Sequence, residues 1–114
     1  MWLRPDGVVQ QIWASQVEIG LEDATEAIQV MTELTGGRRS PLLVDTRDSR
    51  AVTRSARREL ASRDDLVSAV AVIVGSPLSR VMGEFFLSVN RPRFPMRLFG
   101  DETSAVAWLE AFVG

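Results

Sequence analysis

Pro41-Leu42-Leu43-Val44-Asp45-Thr46 is the stretch that decides the fold. It is apolar without a break through Val44 and then turns polar. A strand wet on one face alternates apolar and polar side chains, whereas one covered on both faces is apolar throughout. The run therefore predicts a buried parallel strand whose carboxyl end, at Asp45 and Thr46, opens into a loop. Residues 67–74 (Val-Ser-Ala-Val-Ala-Val-Ile-Val) predict a second buried strand, closed by Gly75-Ser76-Pro77.

Parallel strands cannot be joined by a hairpin, so a crossover must lie between these two. Residues 53–63 predict it as a helix, with Thr53 as candidate N-cap, Ala56 and Leu60 inward, and Arg54, Arg57 and Arg58 outward. Upstream, Ala24, Ala27, Ile28, Met31 and Leu34 recur at three- and four-residue spacing and predict a helix over 21–35. Glu22 and Asp23 suit its amino end through the helix dipole, and Gly36-Gly37 stops it. Ahead of that helix, residues 1–4 and 8–14 flank Pro5-Asp6-Gly7, a turn signal that predicts a hairpin.

Downstream, Ser76 can cap a helix with Pro77 at its first position, where the missing amide costs nothing. That helix runs to about Val89, with Leu78, Val81, Met82, Phe85 and Val89 as the expected inward stripe. Phe86 and Leu87 lie off the stripe's centre and are expected to leave apolar surface exposed. Residues 90–95 break the helix, 96–99 predict a last strand, and Asp101 caps a final helix through Phe112 carrying Ala105, Trp108, Leu109 and Phe112 on one stripe. The order β-β-α-β-α-β-α-β-α implies one α/β domain with a mostly parallel sheet and right-handed crossovers.

Composition narrows the chemistry. The 114 residues fit one domain and contain no cysteine and no histidine. Disulfides, thiolate nucleophiles, the usual zinc sites and imidazole acid–base catalysis are excluded with them. The expectation is a protein that is not an enzyme, holds no cofactor and binds no transition metal. A net charge of −2 disfavours nucleic acid as a partner. No apolar run approaches the ~20 residues that span a bilayer, and the sequence predicts a cytoplasmic protein.

The element order resembles the STAS/SpoIIAA-like superfamily, the fold of bacterial anti-sigma-factor antagonists, also compared with the lipid-carrying SEC14 domains. Leu42-Leu43-Val44-Asp45 resembles the central strand of those proteins. Val74-Gly75-Ser76-Pro77, Phe85-Phe86-Leu87, Phe94-Pro95-Met96-Arg97-Leu98-Phe99 and Ala107-Trp108-Leu109 look like a small actinobacterial branch of it. In the antagonists a phosphorylatable Ser opens the second helix within Asp-Ser-Ser-Gly. By the same count Ser55 falls at the phosphoacceptor position, with Thr53 in place of the Asp and Ala56 in place of the Gly. Arg54 is bulky where the motif is small, so neither Ser55 nor Thr53 is expected to be a phosphosite here.

Two surfaces stand out as places where a partner could dock. From Arg47 to Arg63, six arginines against Asp48 and Glu59 leave a net +4 in an acidic protein. Arg54, Arg57 and Arg58 there suit an acidic partner surface, against the plainer reading of a solvated helix with local Arg–Glu pairs. Phe86 and Leu87 on the apolar helix form the second. Asp45 with Asp48, and the helix start at Gly75-Ser76-Pro77, are weaker candidates for a cation and an anion respectively. The function expected is a protein-interaction or regulatory module, self-associating as a homodimer through its apolar helix. The alternative is a carrier holding a small apolar ligand beneath that helix, as the SEC14 comparison implies.

Overall fold

The apolar run beginning at Pro41 forms the central strand it predicts. The computed structural model describes residues 1–12, 18–45, 51–77, 80, 81, 84, 85, 88 and 92–113. The strands are β1 (Trp2–Leu3), β2 (Val9–Ile12), β3 (Glu18–Ile19), β4 (Ser40–Asp45), β5 (Ala51–Val52), β6 (Val67–Ile73) and β7 (Met96–Phe99). The helices are α1 (Leu21–Thr35), α2 (Arg54–Ala61) and α3 (Glu102–Leu109). Between β6 and β7, the described residues Pro77, Arg80, Val81, Glu84, Phe85 and Ser88 are also helical.

Five strands form one sheet in the order β1-β2-β4-β6-β7. β1 runs antiparallel to β2, and every other neighbouring pair is parallel. Between β4 and β6, Leu42 is opposite Val70, Val44 opposite Val72, and Asp45 opposite Ile73. A proline inside a central strand removes one ladder donor. The pairing shifts register between Ser40 and Pro41, which places that irregularity at the strand's first step.

Both faces of the sheet carry packed side chains from the helices, with Leu42, Val44 and Val72 left half-buried. Leu43, Ala69, Ala71, Ile73 and Phe99 pack against Ala105 and Leu109 of α3. The small side chains of Ala69 and Ala71 let that helix lie close. Val9, Val67 and Val70 on the other face pack with Met31 of α1, Leu66 and Phe94. Full burial of a side chain such as Leu43 stabilises by about 1.5–3 kcal/mol.

Local signals set the ends of these elements. Gly7, at φ 88°, turns the β1–β2 hairpin, and the Arg4 amide donates to Val8 O at 2.8 Å. Gly36, at φ 66°, stops α1 in the left-handed conformation that a side chain resists. The Gly20 amide donates to Asp23 Oδ2 at 2.9 Å, securing the same helix at its amino end.

Three expectations need correction. β3 and β5 pair in parallel as a separate two-stranded sheet, an element the sequence order did not contain. Each spans two residues, too few for a two-residue period to register. On α1, Leu34 is exposed while Thr35 is buried and returns its hydroxyl to Met31 O at 2.9 Å. The final helix gives way after Leu109 to a tighter 3₁₀ turn over Glu110–Phe112. Ser68 Oγ donates to Phe112 O at 3.1 Å there, and the Trp108 ring lies 5.8 Å from Phe99 and 4.9 Å from Phe112.

Candidate functional site

The arginine face of α2 is built from its first residue. Thr53 stays extended, and its Oγ1 accepts from the Ala56 amide at 3.3 Å, capping the helix as the sequence predicts. Ala56 is fully buried with Ile19 and Ala24, and that cluster seats α2 against α1. Burial of Ala56 turns Arg54, Ser55 and Arg58 outward, while Arg57 is half-buried. Arg54, Ser55, Arg58 and Glu59 line an open depression of about 660 Å³, with Leu21 of α1 on its wall.

The basic stretch is less uniform than its count. Arg63 grips Asp65 through two bonds of 3.0 and 3.1 Å and lies 3.8 Å from Glu59, the local pairing that the plainer reading holds. Arg47, Asp48 and Arg50 lie outside the described residues. Asp45 is buried at the carboxyl end of β4, where α/β sheets bind ligands. Among the described residues no three metal-binding side chains converge there or elsewhere.

The apolar helix carries the principal correction. Val81 and Phe85, expected inward, are 62% and 63% exposed. At ~100° per residue, positions 77, 80, 84 and 88 form one row along a helix. Pro77, Arg80, Glu84 and Ser88 occupy that row, and all four are exposed. Val81 and Phe85 are the members of the expected stripe nearest to it, so a modest rotation of the helix brings both into water. Phe86 and Leu87, the residues singled out from sequence, lie outside the described residues. The polar row was present in the sequence. A helix apolar on most of its circumference gives the hydrophobic period little power to choose a face.

Polar groups elsewhere have structural roles. Asp101 accepts from the Ser104 amide at 2.7 Å and from its hydroxyl at 3.0 Å, which together hold its carboxyl below the usual carboxylate range. Arg4 lies 3.1 Å from Asp6 and 3.2 Å from Glu102, fastening the hairpin to α3. Among the described residues no helix is long and apolar enough to cross a membrane.

Comparison with known proteins agrees with this architecture. The chain is similar to an uncharacterized protein of the DUF3478 family with a SpoIIAA-like fold from Shewanella loihica PV-4. The similarity covers 89% of this chain and 79% of that one, with a TM-score of 0.56 and 16% identity. The fold is SpoIIAA-like, as the element order implied. A protein with unknown function from Arthrobacter sp. fb24 is 31% identical over 94% of this chain and 95% of its own, with a TM-score of 0.36. No functionally curated protein matches. Residues 1–113 match a family described as a domain of unknown function (DUF7793), and the chain belongs to that family.

Proposed function

We propose that the domain is a cytoplasmic, non-enzymatic protein-interaction module that docks through the helical face carrying Val81 and Phe85. One observation carries the reading. Two large apolar side chains, one helical turn apart, are each more than three-fifths exposed. Exposed apolar surface concentrated on one face is what an interaction site leaves in the unbound protein. The absence of histidine and cysteine from the sequence points the same way, since it leaves a poor set of groups for catalysis.

Phe85→Glu tests the reading, by thermal melting together with sedimentation. An interface residue gives a mutant with near-wild-type melting and no association, because the new carboxylate stays solvated. Loss of several kcal/mol of stability means that the ring belongs to the core, and ends the reading.

A second reading has its own support. Val44 of β4 and Val72 of β6 are register partners on adjacent inner strands yet are only half-buried. Inner strands are ordinarily covered on both faces, and the surface left there suits a small apolar ligand. Native mass spectrometry distinguishes the two, a bound lipid-sized mass supporting the carrier and a bare protein opposing it.

A further inference from the structure

We propose that the occupant of the Val81–Phe85 face is a second copy of the same chain, docked antiparallel across a two-fold axis. The inference rests on the interaction reading above and names the partner. A two-fold contact uses the same patch on both molecules, so the patch must be complementary to itself. This one is.

Val81 and Phe85 form an apolar row, and Arg80 and Glu84, both exposed, form a charged row about 100° around the helix. The residues of each row are four apart, or about 6 Å along the axis. Turned over about a perpendicular two-fold axis midway along these residues, the apolar rows meet, Val81 opposite the second copy's Phe85. The charged rows then lie on one side of the seam, Arg80 beside the second copy's Glu84, and Glu84 beside its Arg80. Two opposite charges on one helix thus become two ion pairs without any further residue. A parallel two-fold arrangement would instead put the two charged rows on opposite sides of the seam, where neither meets the other. The four described residues alone make a small contact, and association through them depends on concentration.

Charge reversal tests this register. Arg80→Glu gives a chain with two acidic side chains in the row, and Glu84→Arg gives a chain with two basic ones. Each variant alone repels its own copy at both pairs, which weakens self-association by roughly tenfold. An equimolar mixture of the two restores association, because every pair is then opposite in sign. The double reversal in one chain restores it as well. Sedimentation equilibrium up to the highest soluble concentration follows all four proteins, with circular dichroism to show that each is folded.

A wild-type dimer weakened by each single reversal and restored in the mixture is the expected result. A wild-type dimer whose mixture associates no better than the single variants overturns the antiparallel register and leaves the apolar face as an interface. A wild-type chain that stays monomeric throughout overturns the second copy as occupant. The Phe85→Glu melting experiment then decides separately whether the face is free for another partner.

Discussion

Gln10 Nε2 donates to Glu102 Oε1 at 3.0 Å, a bond between β2 and the first turn of α3 that spans 92 positions of sequence. Gln10 is buried, and Arg4 approaches both partners. Gln10→Leu keeps the bulk but removes this bond, leaving Glu102 its direct pairing with Arg4. Stability should fall by about 1–2 kcal/mol in urea unfolding, with an unchanged m-value. An unchanged midpoint would show that the bond contributes nothing.

Thr53 and Ser55 have neighbouring hydroxyls, 3.3 Å apart, with different expected uses. Thr53 caps α2, so Thr53→Ala should cost about 1 kcal/mol and Thr53→Ser much less. Ser55 is exposed, but Arg54 and Ala56 replace the Ser and Gly of the motif in the anti-sigma-factor antagonists that the sequence resembles. Phosphopeptide mapping from native cells should find Ser55 and Thr53 unmodified. Substantial occupancy at either residue would restore the antagonist mechanism.

Asp101 gives the fold a pH dependence of known sign. Its carboxyl titrates lower in the folded chain than in the unfolded one, because the Ser104 amide and hydroxyl bond the ionised form. Its stabilising contribution is therefore full above the unfolded carboxylate range and is lost as pH falls through the lowered value. Asp101→Ala should melt below wild type at neutral pH, and the gap should close in acid. A gap independent of pH would show that the cap does not act through its charge.

Leu43 is fully buried between the sheet and α3. Leu43→Ala should cost about 2–5 kcal/mol, and Ala71→Leu on the same face about 1–3 kcal/mol through overpacking. Chemical denaturation measures both. A neutral Ala71→Leu would mean that α3 is free to move away from the sheet.

The sheet was legible because its cause is local. Leu42, Leu43 and Val44 are apolar in succession only where both faces are covered, and Gly36, Thr53 and Asp101 announce helix ends in their own chemistry. The β3–β5 pairing was not legible, since Ile19 and Val52 are joined by backbone geometry that no two-residue stretch encodes. The candidate site was legible only in part. Arg54 and Arg58 face out as expected, but the orientation of Val81 and Phe85 depends on a rotation that a helix with so wide an apolar face leaves undetermined.

Apart from the β1–β2 hairpin, every strand of the main sheet joins a neighbour only after the chain has crossed over and returned. The register that sets Ile12 beside Asp45, and Asp45 beside Ile73, cannot form from nearby residues. Each pairing closes a loop of about thirty residues before any ladder bond forms, and that entropy is lost in advance. Folding should therefore be slow beside a helical bundle of equal length. Until β4 and β6 pair, their apolar runs lack each other as neighbours, and the unfinished chain is open to aggregation through both.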